Sequence, residues 1–297
     1  MTDSPTTGQP PTAVASAPAP LVADEAPADD TGSTMYEDED AVSSLASLAS
    51  SILEYRAIHG RTFNSARYES TYFTPNDERQ NQDIDITHHY MMLLLDGKLT
   101  MAPIKPDVQN VIDVGTGNGV WAIDFADAHP SAKPSWVPPN LKFELDDATK
   151  AWAYPDNTFD FVYIRFFAGG IKDWTFLFCE AYSGGIKIGS PFNVIDDDLQ
   201  EKAIREAGFD VVEAVTLKAP VGPWTADKKP AEVGRYVSLA LESDMEGYTL
   251  FFATQVLGWL KEKHQEFIVS IRKMIRNYRN VYTYFLARYV WGQKPAA

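Results

Sequence analysis

The chain has a single cysteine, Cys179, among its 297 residues. An internal disulfide is therefore excluded, and a reducing, intracellular compartment is expected, cytoplasm or nucleus. No run approaches the ~18 apolar residues of a membrane helix, and no basic-then-apolar leader opens the sequence, so no membrane association is expected. Lys and Arg are absent from residues 1–50, which carry nine acids, and the formal charge of the chain is −15. The remainder is only mildly acidic, which disfavours direct nucleic-acid binding. Arg272, Lys273, Arg276 and Arg279 recur at helical spacing and read as a solvated helix face. Ligand-spaced Cys and His clusters are also missing. The adjacent His88 and His89 diverge by about 100° on a helix, so no metal is expected there.

Large apolar side chains are scarce over residues 1–40, which are rich in Pro, Ala, Thr, Ser and Asp. That segment cannot offset its ordering entropy and is expected to be a disordered acidic tail. Val42, Leu45, Leu48, Ile52 and Leu53 have helical spacing and mark where order begins. A second helix is expected after Pro75, capped by Asn76 or Asp77 and ending near Asp96-Gly97. Strands and helices then alternate as in a parallel sheet. Strands are expected at 108–114, 141–144, 159–165, 210–217 and 281–291. Helices are expected at 119–129, 173–182, 199–207 and, as one long stretch, 245–279, with the last forming an insertion between two antiparallel strands.

The strongest motif is Val111-Ile112-Asp113-Val114-Gly115-Thr116-Gly117-Asn118-Gly119. An apolar strand ends beside an acid, three glycines alternate, and an apolar helix begins. Glycines allow a sharp turn and a close ligand approach, while the helix N-terminus presents free N–H groups. A dinucleotide fingerprint requires Gly or Ala at position 120, where this chain has Val. Gly-x-Gly-x-Gly preceded by Asp113 is instead the spacing of methyltransferase cofactor loops, with Asp113 near the charged methionine half of S-adenosylmethionine. Asp146 and Asp147 follow an expected strand, at the sheet edge where α/β ligands bind. A carboxylate there would accept from an adenine amine, and a simple helix cap is an equal reading of either aspartate.

Further motifs extend this: Gly60-Arg61-Thr62-Phe63, Pro75-Asn76-Asp77-Glu78, His88-His89, Trp121-Ala122-Ile123-Asp124, Trp136-Val137-Pro138-Pro139-Asn140, Ile171-Lys172-Asp173-Trp174 and Ala207-Gly208-Phe209. In this order they resemble the LaeA-like fungal methyltransferases of secondary metabolism, over about residues 51–295. The resemblance implies an α/β, class I methyltransferase Rossmann-like sheet with flanking helices. It implies bound S-adenosylmethionine, with Asp113, Gly115, Thr116, Gly117, Gly119, Asp146, Asp147 and Arg165 as cofactor residues. The expected division is a helical cap at 41–105, a cofactor-binding core at 106–222, and a helical insertion with the final strand at 223–297. Tyr68, Tyr72, His89, Arg165 and Trp174 are candidates to line the acceptor pocket, and no catalytic base is assigned. The acceptor is a small molecule or a protein side chain.

Two departures from the family pattern stand out. Residues 131–140 contain three prolines and no acid, so the second strand and its ribose-binding carboxylate are expected to be missing. After Tyr182 the chain passes quickly to Ile186-Lys187-Ile188-Gly189-Ser190-Pro191, so the fifth strand is also expected to be absent. These losses support an alternative: a catalytically silent, methyltransferase-like regulatory protein that acts by binding partners.

Overall fold

A computed structural model describes residues 55–64, 72–129, 140–144, 146–191 and 197–295. The acidic tail, all but Tyr55 of the helix expected over 41–55, Tyr68 and the proline-rich 131–139 lie outside the described residues.

The described chain opens with a hairpin of β1 (Arg56–Ile58) and β2 (Arg61–Phe63). Its two-residue turn, His59-Gly60, has both φ values positive, at 49° and 86°. Such turns match the twist of the paired strands. Helix α1 (Glu78–Leu94) follows, and the Asp77 side chain caps it by accepting from the Gln80 N–H. That decides between the two expected caps. Past Leu95, Asp96 and Gly97 take positive φ and end the helix.

The core begins with β3 (Val111–Val114) and α2 (Val120–Ala128). It continues through β4 (Phe161–Ile164), α3 (Trp174–Gly184), β5 (Lys187–Pro191), α4 (Asp197–Glu206) and β6 (Asp210–Pro220). Helices α5 (Lys228–Ser243) and α6 (Met245–Phe251), a π-helical turn (Phe252–Val256) and α7 (Lys261–Arg276) then lead to β7 (Tyr284–Gln293). The five-stranded sheet has the order β3-β4-β5-β7-β6. β3, β4 and β5 run parallel, while β7 runs antiparallel to both β5 and β6. The chain thus has the expected α/β architecture, a mixed sheet with flanking helices.

β4 is buried along its whole length, so its alternation divides the core rather than separating core from solvent. Phe161 and Tyr163 face α2, where Trp121 lies flat on Tyr163, ring centroids 3.7 Å apart at 6°. Val162 and Ile164 face α3 and α4, against Leu177, Phe178, Ile188 and Ile204.

Three expectations need correction. The fifth strand is present: Lys187–Pro191 pairs with β4 through Val162 and Tyr163, and with β7 over its full length. Its sequence looks unlike a central strand, yet Gly189 is required there. A methyl group at Gly189 would meet the Phe161 ring at 2.7 Å and the Tyr289 hydroxyl at 2.9 Å. Residues 141–144 form no strand, because no described strand lies beyond β3 to pair with them. The helix expected over 245–279 is broken at Gly258, with φ +61°, and α5 precedes it. The signals for α5 were legible: the Asp227 cap, then Val233, Val237 and Ala240 at helical spacing on the buried face.

Candidate cofactor site

Strand β3 starts where the Asp160 carboxylate accepts the N–H groups of Gln109 and Asn110, at 2.9 and 3.0 Å. It delivers Asp113 to the C-terminal edge of the sheet. Gly115, Gly117 and Gly119 then take φ values of +74°, +64° and +83°, where other residues are strained. The loop ends as the αL cap of α2, and the Asn118 side-chain oxygen accepts from Val120 N at 3.2 Å. The Asn118 amide donates to Asp85 on α1 at 2.6 Å, fastening the loop to the cap helix.

A cavity of about 500 Å³ opens beside this loop and runs along the outer edge of β3. Its lining includes Asp113, Gly115 and Thr116 on one side, with Phe143, Asp146 and Asp147 on the other. Gly117 and Gly119 complete the loop without lining the cavity, and Phe143 lies against Gly119. Asp147 accepts from the Thr149 N–H and hydroxyl, at 3.0 and 2.6 Å, so it caps a turn. Asp146 accepts the Asp147 N–H at 2.8 Å. Neither follows a strand, in contrast to the expectation, and a loop carries both to the cavity.

Asp113 is enclosed by protein but keeps part of its surface open to the cavity. Burial raises its pKa to about 6, against the opposing pull of the Arg165 charge and the neighbouring Thr116 hydroxyl. That hydroxyl is itself buried without a hydrogen-bond partner of good geometry. Arg165 follows β4 and sits near the faces of Tyr163 and Phe166, 6.0 and 5.8 Å from the ring centroids. Its Nη1 lies 3.1 Å from His88 Nδ1, and His88 Nε2 lies 2.9 Å from Asp124 Oδ2.

The other acceptor-pocket candidates are dispersed. His89 is exposed and packs edge-on against Tyr236. Trp174 opens α3 and leans on Phe178. Tyr72 is half-buried, and desolvation raises its pKa against a hydrogen bond with Thr74. The His88–Asp124 pair was missed as part of the site. No local signal in the sequence links His88 to a residue 36 positions away.

A gap of this volume suits a nucleoside-sized ligand. The unpartnered Thr116 hydroxyl, the bare glycine backbone and the N-terminus of α2 all suit a polar cofactor there.

No family model matches the chain. The methyltransferase pytC of Aspergillus terreus is 30% identical over 305 residues, spanning 86% of this chain and 93% of pytC. The chain belongs to the LaeA-like family of fungal methyltransferases. The secondary metabolism regulator LAE1 of Cochliobolus heterostrophus is 24% identical, over 76% of this chain and 90% of LAE1. The chain's relatives thus include both methyltransferases and regulators of fungal secondary metabolism. Among solved structures, the YcgJ protein of Bacillus subtilis is similar over 71% of this chain and all of YcgJ, with 12% identity and a TM-score of 0.41. Among the described residues, no helix is long and apolar enough to cross a membrane.

Proposed function

We propose that the cavity beside β3 binds S-adenosylmethionine and that the chain is an active methyltransferase. The observation that carries this reading is the convergence of Asp113, Gly115 and Thr116 on one cavity, with the α2 N-terminus behind them. The cofactor would supply an electrophilic methyl group for in-line displacement by an O, N, S or C nucleophile. The chain's own residues bind and orient. Asp113 would face the ammonium of the methionine half, and Gly115, Gly117 and Gly119 would let the backbone approach it. Asp146 and Asp147 would serve the adenosine half by accepting from the adenine amine, while the ribose-binding acid expected on a second strand has no replacement. A lost carboxylate–hydroxyl bond costs ~1.5–3 kcal/mol, or roughly 10- to 100-fold in affinity, so micromolar rather than nanomolar binding is expected.

No side chain is assigned as general base, because an acceptor that is already nucleophilic needs none. Residues 41–105 act as the cap, 106–222 as the core and 223–297 as the insertion with the final strand. The acceptor is a small molecule or a protein side chain, with a regulatory complex as the setting if it is a protein. Residence is intracellular, in cytoplasm or nucleus. Calorimetric titration with S-adenosylmethionine and S-adenosylhomocysteine tests the reading. Micromolar binding supports it; a folded chain that binds neither is the silent regulatory protein instead.

A further inference from the structure

We propose that His88 is a positioning residue that aims Arg165 at the carboxylate of the cofactor's methionine half. The inference rests on the cofactor reading above and assigns two side chains within it. A methionine head group carries an ammonium and a carboxylate on the same carbon. A site for it needs an anion and a cation side by side. Asp113 is the anion, and Arg165 is the cation: it follows Ile164, which pairs with Val114, so it stands beside the glycine loop at the strand ends, just outside the cavity lining. Lys142, a cation lining the cavity, is exposed and paired with Glu144.

Arg165 ends a short strand and carries a long side chain, so its direction must be fixed by contacts. His88 supplies one. Its side chain is only 6% exposed, and both ring nitrogens are committed. Asp124, a carboxylate, accepts, so Nε2 carries the proton. Arg165 has only donors, so Nδ1 must accept. Only the neutral Nε2–H tautomer satisfies both neighbours. A protonated ring would set an N–H against an N–H. Burial favours the neutral form, with Asp124 opposing it and the Arg165 charge adding to it.

The geometry also joins three elements. α1 carries His88, α2 carries Asp124, and β4 leads into Arg165. The same cap helix holds the glycine loop through Asp85 and Asn118. Seating of the cap and aim of the cation are therefore set together.

Two substitutions separate the ring's nitrogens. In His88→Asn the amide oxygen takes the place of Nδ1 and still accepts from Arg165. In His88→Gln the amide nitrogen takes the place of Nε2 and still donates to Asp124, but the acceptor for Arg165 is displaced. Affinities are measured by calorimetry for S-adenosylmethionine and for decarboxylated S-adenosylmethionine, which keeps the ammonium and lacks only the carboxylate. The unmodified chain and His88→Asn are expected to prefer the carboxylate-bearing ligand by about tenfold or more. His88→Gln is expected to lose that preference while binding the decarboxylated ligand as before. Equal preference in the two variants overturns the role of His88, as does equal loss of both ligands by His88→Gln. An unmodified chain that binds both ligands equally overturns the assignment of Arg165 and leaves the cofactor reading standing. One that binds neither overturns both.

Discussion

The guanidinium of Arg61 donates to both carboxylate oxygens of Asp244, 183 residues further along the chain, at 2.6 and 2.8 Å. It also grips both oxygens of Asp77, the cap of α1. One side chain from the amino-terminal hairpin thus fastens the cap helix to the start of α6. Arg61 and Asp244 are both buried, and the paired acids raise the pKa of Arg61 against the cost of burial. Removing one member leaves an uncompensated buried charge, which costs about 3–5 kcal/mol. Arg61→Met is therefore expected to lower the urea midpoint strongly. Loss of less than about 1 kcal/mol, near the value of a surface pair, would refute the clamp.

Asp113 has the opposite character. Its folded pKa, about 6, lies above the ordinary carboxyl value of 3.8, so its stabilising contribution is complete below the lower value and lost as pH rises through the upper. At neutral pH the ionised group destabilises the fold. Asp113→Asn is expected to raise the melting temperature at pH 8, by an amount equivalent to ~1–2 kcal/mol. The same substitution is expected to weaken S-adenosylmethionine binding by at least about tenfold, since the ammonium loses its counter-charge. A variant that is less stable and binds normally would contradict both halves.

His88 titrates with the opposite sign. Burial lowers its pKa from 6.5, so its contribution is full above that value and lost as pH falls below it. In the unmodified chain the two effects oppose each other around pH 5–6. Asp113→Asn removes one of them, so stability should then fall more steeply from pH 6.5 towards pH 5. Chemical denaturation at several pH values measures the slope, and unchanged slopes would exclude the coupling.

Gly119 and Gly60 form a matched pair for testing the loop. Their φ values are +83° and +86°, so alanine is strained at each, by about 1 kcal/mol. A methyl group at Gly60 meets nothing within 4 Å, whereas at Gly119 it lies 2.8 Å from the Phe143 ring at the cavity wall. Both Gly→Ala variants are expected to lose similar stability, because the half-exposed Phe143 can swing aside. Only Gly119→Ala is expected to lose cofactor affinity. Equal affinities by calorimetry would place the cofactor elsewhere.

Trp121 tests the core rather than the site. It is buried flat on Tyr163 and donates its indole N–H to the Leu99 carbonyl at 2.9 Å. Trp121→Ala is expected to cost about 3–5 kcal/mol. A shift in the denaturation midpoint worth under 1 kcal/mol would show that this face is not a single packed core.

Features carried by neighbouring residues were legible from the sequence alone. The strand, acid, alternating glycines and helix of 111–128 obey local rules, since positive φ demands glycine and a helix start demands a cap or a free N–H. The caps at Asp77 and Asp173 follow the same local logic. Tertiary structure decided whatever depends on distant partners. Lys187–Pro191 is a strand because β4 and β7 offer it two ladders, despite a sequence that argues otherwise. Residues 141–144 have a strand's pattern and no ladder to join. His88 and Arg165 lie 77 residues apart, and only the seating of α1 against the sheet brings an acceptor nitrogen to the guanidinium. Backbone conformation is a short-range property that a local sequence fixes. Pairing and charge neighbourhoods are long-range, and they exist only once the chain has closed on itself.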